Sequence, residues 1–144
     1  MRAREFMNRA YKLDRRIDNK LEMVATLNSL ATKATLTITG MPHAPSGSKT
    51  PMADTVGRII DLQNEINADI DALVDMKAEI ISVIKAVDNI EYQMLLEQRY
   101  LCYHSWEEVA TEMNYGIRWT HIMHTKALGA VDQVLAERER RKIS

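Results

Sequence analysis

Residues 105–128 read Ser105-Trp106-Glu107-Glu108-Val109-Ala110-Thr111-Glu112-Met113-Asn114-Tyr115-Gly116-Ile117-Arg118-Trp119-Thr120-His121-Ile122-Met123-His124-Thr125-Lys126-Ala127-Leu128. Ser105 followed three residues later by Glu108 is a capping box, in which each side chain satisfies a backbone N–H that the first turn of a helix leaves without a partner. The helix it opens turns Val109, Ala110 and Met113 inward. Asn114-Tyr115-Gly116 closes it, because Asn and Gly tolerate the left-handed backbone of a tight turn. A second helix begins near Ile117, runs to about Glu137 and turns Thr120, Met123, Ala127, Val131 and Val134 inward. A short capped helix, a three-residue turn and a second helix make a helix-turn-helix unit, and the small Ala110 lets its two helices cross closely. Ile117, Arg118, His121, Ile122 and Thr125 then share the opposite face with Lys126 beside them, the set a recognition helix offers to a major groove.

Upstream, Asp88-Asn89 offers a cap for a helix from about Ile90 to Tyr103, with Ile90, Met94, Leu95, Tyr100 and Leu101 at helical spacing. Six of the eight aromatic residues (Tyr92, Tyr100, Tyr103, Trp106, Tyr115 and Trp119) fall between 92 and 119. Aromatic rings fill the wide spaces of globular cores, whereas the narrow seam between two helices takes aliphatics. The chain therefore divides into a slender aliphatic part, 1–87, a compact aromatic part, 88–136, and a basic tail, 137–144.

The slender part has a 3.5-residue rhythm. Phe6, Ala10, Leu13, Ile17, Lys20, Val24, Leu27 and Ala31 form one stripe. Val56, Ile59, Gln63, Ile66, Ile70, Leu73, Lys77, Ile80, Ile84 and Val87 form another. Between them, residues 39–51 hold all three prolines and must break helix. A reversal there gives a long antiparallel helical hairpin, or coiled coil. Leu21, Ile60, Leu62, Val74, Ile81 and Val83 lie off the stripes and predict packing against another copy, a dimer or higher oligomer.

Composition narrows the function. Hydrophobic residues make up 46% and charged residues 27%, so a packed structure is expected rather than disorder. Five Gly and three Pro are too few for an all-β chain needing many tight turns. One cysteine, Cys102, leaves no intrachain disulfide. No apolar run reaches a membrane span, and the charged start lacks the apolar core of a signal peptide, so the expectation is a soluble cytoplasmic protein. The net charge of −1 conceals an uneven distribution: residues 1–20 hold seven bases against three acids, 54–97 three against ten, and 115–144 six against three. Basic ends suit a polyanion; a solvated helix face is the plain alternative.

The run from Ser105 to Met113, continuing without a gap to Lys126-Ala127-Leu128, resembles DNA-binding region 4 of bacterial sigma factors. With the upstream coiled coil and Glu91-Tyr92-Gln93-Met94-Leu95-Leu96-Glu97-Gln98-Arg99-Tyr100-Leu101 leading in, the chain is similar to the ArpU-like, sigma-region-4-like regulators of phages and prophages. The resemblance implies a phage transcription regulator that binds double-stranded DNA in a bacterial host cell. The scaffold half of the motif is kept and the reading half differs. Gly116 stands where Ser or Thr is usual, Ile117-Arg118 where a basic and an acidic residue are usual, Thr120 where an aliphatic is usual, and His121-Ile122 where Arg and Gln are usual.

The sequence thus predicts an all-α protein, a helical hairpin followed by a small helix-turn-helix domain. Ile117, Arg118, His121, Ile122, Thr125 and Lys126 are the candidate DNA-binding residues. The apolar Ile117 and Ile122 keep a second reading open, a structural module whose helix-turn-helix contacts protein such as RNA polymerase or a DNA-packaging assembly. Cys102, His104, His121 and His124 have no spacing that suits tetrahedral zinc. Asp61, Glu65, Asp69, Asp71, Asp75 and Glu79 read as a solvated face, since no Glu-x-x-His pair accompanies them. With no nucleophile motif and no Gly-rich phosphate loop, neither enzyme activity nor a cofactor is expected.

Overall fold

The computed structural model describes residues 2–39 and 51–143; the helix-breaking segment expected over 39–51 lies, apart from its two ends, outside the described residues. The described residues form five α-helices and one π-helical turn, with no strand. These are α1 (Ala3–Thr39), α2 (Pro51–Lys85), α3 (Ile90–Leu96) continued by the π turn Glu97–Leu101, α4 (Trp106–Met113) and α5 (Ile117–Ile143). The chain is all-α, as its patterning predicts. Among the described residues no helix is both long and apolar enough to cross a membrane.

Packing groups the chain into two compact units, Asp14–Ala72 and Met1–Leu13 with Leu73–Ser144. The sequence division at 87/88 falls elsewhere. The ends of the two long helices share a core with the C-terminal helices, because Phe6, Met7, Ala10, Ile80, Val83, Ile84 and Val87 bury together with Leu96, Tyr100, Ala127, Leu128 and Val131. Residues 137–143 continue α5 rather than forming a separate tail. The Ala3 backbone N–H donates to Asp132 Oδ1 at 2.7 Å, which holds the start of α1 against α5.

In the unit Asp14–Ala72, the segments of α1 and α2 run antiparallel. Lys20 meets Asp69 at 2.6 Å and Glu65 at 3.6 Å, whereas Met23 and Leu27 further along α1 share a groove with Arg58, Asp61 and Leu62 earlier in α2. Every stripe position of α1 is buried or half-buried. The stripe of α2 is half displaced. Ile59, Ile66, Leu73, Ile80 and Val87 turn inward, but their companions are Leu62, Asp69, Met76 and Val83, one residue before the expected Gln63, Ile70, Lys77 and Ile84. Val56, Gln63 and Ile70 are exposed, while Lys77 is half-buried and Ile84 buried. Asp69 is therefore no member of a solvated face. Its charge turns inward because the Lys20 ammonium lies opposite. Val83, expected among the residues left for another copy, is fully buried, and Leu62 is half-buried.

Asn89 opens α3, its side-chain oxygen accepting from the N–H groups of Glu91 at 2.9 Å and Tyr92 at 3.2 Å. The expected regular helix to Tyr103 does not form. The backbone widens at Glu97–Leu101, where the Cys102 N–H donates to Glu97 O five residues back, and Tyr103 ends the element at φ 57°. Leu95, Leu96 and Tyr100 face inward, while Ile90 and Met94, apolar residues of the same helical spacing, are exposed.

Candidate functional site

The turn between α4 and α5 is built by short-range chemistry. Glu108 N–H donates to Ser105 Oγ at 3.2 Å, and Ser105 N–H donates to Glu108 Oε1 at 3.3 Å, so both halves of the capping box are present. The Ser105 backbone N–H first, and its hydroxyl second, hold the Glu108 carboxyl below its ordinary pKa. Asn114 takes the left-handed conformation, φ 60° and ψ 42°, and the N–H groups of Asn114 and Tyr115 bond back to Thr111 and Ala110. Gly116 has no positive φ, so Asn114 alone supplies the reversal that the sequence divides between the two. Instead, Gly116 O accepts the first bond of α5 from Thr120 N–H at 3.0 Å, and the Thr120 hydroxyl donates to the same oxygen. Thr120 is fully buried with its hydroxyl satisfied, which is how a polar residue is accommodated in the core.

Leu95 from α3, Val109 from α4 and Met123 from α5 bury against one another, with Tyr92, Trp106, Met113 and Tyr115 packed around them. The Tyr115 hydroxyl donates to Glu91 Oε2 at 2.5 Å, tying the turn to the start of α3. That carboxylate raises the Tyr115 pKa, since the bond favours the protonated phenol.

Ile117, Arg118, His121, Ile122, Thr125 and Lys126 are all exposed, spread over about half of the circumference of α5 at 100° per residue. Thr120, Met123, His124, Ala127 and Val131 lie buried in the other half, with Leu128 buried further along the helix. The Thr125 hydroxyl donates to His121 O at 3.2 Å within the helix, and Lys126 Nζ sits 5.4 Å from the centre of the Trp119 ring. Ile117 is 46% exposed and Ile122 39%, so the face mixes cations with apolar side chains.

Sequence position groups His124 with His121 on the groove side, but the structure places His124 inside. Its Nε2 shares a hydrogen bond of 2.5 Å with the Tyr100 hydroxyl, and its ring packs edge-on to Trp106 at 4.5 Å between centroids. Burial, with Arg4, Arg99 and His121 adding repulsion, lowers its pKa to about 4. Burial likewise raises the pKa of the Tyr100 phenol. The sequence signal for this pair is faint: a Tyr and a His 24 residues apart inside an aromatic cluster. Trp106 also lies 4.8 Å from the His121 ring, while the Arg99 guanidinium sits 4.3 Å over Trp106 and donates to His104 O at 2.9 Å. The π turn is thus joined to α5 through one indole.

Among the described residues, no group of three or more His, Cys, Asp and Glu side chains could hold a metal ion. The exposed face of α4 carries Glu107, Glu108 and Glu112 and no base. The chain matches no family model, no curated protein and no solved structure.

Proposed function

We propose that the protein is a non-enzymatic regulator that binds double-stranded DNA, with the first turns of α5 read into the major groove. The observation that carries this is the exposed half of α5: six side chains, two of them permanent cations and one an imidazole, follow directly on a tight turn fixed by Asn114. Arg118 and Lys126 would meet phosphates or guanine edges, and His121 and Thr125 would add shorter polar contacts. The resemblance to sigma-region-4-like regulators of phages and prophages supports the same reading and a cytoplasmic site of action in a bacterial host. The test is a gel shift of genomic fragments at low and moderate salt, with Arg118→Ala and Lys126→Ala beside the parent. Fragment-dependent shifts that both variants weaken, at unchanged melting temperature, are expected. Absence of any shift at low salt defeats the reading.

The exposed Ile117, Trp119 and Ile122 favour a second reading, in which this face docks on protein such as RNA polymerase or a DNA-packaging assembly. Failure to shift DNA, with capture of purified polymerase lost in an Ile117→Ser, Ile122→Ser double variant, would select it.

We infer also that the chain self-associates through the unit Asp14–Ala72. Two helices bury little, and Leu21, Met23, Leu30, Val56, Ile60 and Ile70 remain exposed there. Association would pair DNA-reading faces and raise affinity through linkage. Sedimentation of a monomer at micromolar concentration refutes it.

A further inference from the structure

The first helix of a helix-turn-helix ordinarily crosses the DNA backbone, and here that helix is hostile to phosphate. Glu107, Glu108 and Glu112 line an exposed cleft on α4 with His104 and Thr111, and α4 itself carries no base to offset them. If α5 reads DNA, backbone contacts beyond those of Arg118 and Lys126 have to come from a surface other than α4.

One surface has the right charge. Asn8, Tyr11, Arg99, Tyr100 and Tyr103 enclose a pocket of about 270 Å³. A larger cleft of about 790 Å³ adjoins it through Asn8 and Tyr11 and adds Arg4, Glu5, Arg9 and Lys12. Arg4 and Lys12 are exposed, and Lys77 Nζ lies 5.1 Å from the Tyr103 ring centre. Glu5 lines the same cleft, and Glu79 lies 3.8 Å from Arg9. Across the two linings Arg4, Arg9, Lys12 and Arg99 stand against Glu5, a positive excess in a concavity that also offers the Asn8 amide.

This surface connects to the reading face. Arg99 sits 4.3 Å over Trp106, and the Trp106 ring lies 4.8 Å from that of His121 at a tilt of 52°, so the edge of the pocket and α5 touch the same indole. We propose that Arg4, Asn8 and Lys12 of α1, together with Arg99 of the π turn, form a second, sequence-independent contact to duplex DNA, holding backbone phosphates beside the groove that α5 reads. The assignment rests on the DNA-reading role of α5 and adds to it the site that supplies grip while α5 supplies sequence.

The experiment measures binding of the full chain to a labelled, mixed-sequence duplex of 30 base pairs across a salt series, by fluorescence anisotropy. Each phosphate contact contributes about 0.9 to the slope of log K against log salt. An Arg4→Gln, Lys12→Gln double variant should lower that slope by about 1.8 and weaken binding roughly ten- to a hundredfold at 0.1 M salt. Both side chains are exposed, so its circular-dichroism melt should match the parent. Glu5→Gln should strengthen binding several-fold, an effect that damage to the fold would not produce. If the parent binds, Arg118→Ala weakens it, and the double variant keeps the parental slope, the α1 contact is refuted while the α5 reading stands. If the parent binds no duplex at 20 mM salt, both are refuted together.

Discussion

Acidification from pH 7 to pH 5 should destabilise the protein through His124 alone by about 2 kcal/mol. The imidazole is buried, is hydrogen-bonded through Nε2 to the Tyr100 hydroxyl, and has its pKa lowered to about 4 from the ordinary 6.5. The folded state thus keeps it neutral across this interval, while the unfolded chain takes up a proton as pH falls below 6.5. Stability rises with pH wherever the unfolded state binds more protons, so the loss begins near pH 6.5 and levels off near pH 4. At about 1.4 kcal/mol for each unit between the two values, most of the first 1.5 units is expressed by pH 5. Urea unfolding followed by circular dichroism, at half-unit steps from pH 7.5 to 5, measures this. His124→Gln supplies the control, because its amide offers both a donor and an acceptor to Tyr100 and cannot titrate. The difference in stability between parent and variant should shift by about 2 kcal/mol over the range, against the parent at the acid end. Parallel curves within about 0.5 kcal/mol, or a His124 ring that protonates near 6.5 by NMR, would refute the buried neutral assignment.

Ser105→Ala removes one half of the capping box and should cost about 1 kcal/mol of unfolding free energy in urea. Asn114→Val forces a β-branched residue into the left-handed region and should cost about 1–2 kcal/mol, whereas Asn114→Gly should be close to neutral in the same assay. Gly129 sits inside α5 with no atom within 4 Å of the place an alanine methyl would take, so Gly129→Ala should gain about 1 kcal/mol, read as a raised melting temperature. Asp69→Asn leaves the Lys20 ammonium, itself only 13% exposed, with Glu65 alone at 3.6 Å, and should lower stability by about 1–2 kcal/mol in urea.

The helical class, the capped start of α4 and the turn at Asn114 are legible in the sequence because they depend on neighbours three to five residues apart. The stripe of α1 is legible for the same reason. In α2 the reading fails by one residue at Gln63 and Ile70 and also at Val56, and holds at Lys77 and Ile84. Ile70 is apolar and Asp69 is charged, so hydrophobicity selects Ile70; the structure selects Asp69 because Lys20 stands opposite, 49 residues away in the chain. Such a pairing has no periodicity to reveal it. The same holds for His124, a polar residue made compatible with the core by Tyr100, and for the π turn, whose widening follows from packing rather than from any residue type in Glu97-Gln98-Arg99-Tyr100-Leu101. At the candidate site, the six exposed positions of α5 follow from helical phase once Met123 and Ala127 are placed inward. The cationic cleft on α1 lies outside that logic, since its parts come from residues 4–12 and 99–103.

The widened turn at Glu97–Leu101 also bears on which changes of length the chain can accept. A regular helix advances about 100° for each residue, so excising one residue there would restore an unbroken ladder and swing everything after it by more than a quarter-turn. Tyr100 would then leave His124 and Arg99 would leave the Trp106 indole. One surplus residue acts as a phase adjuster, and single-residue deletions in this five-residue window should be far less tolerated than conservative exchanges of the same side chains.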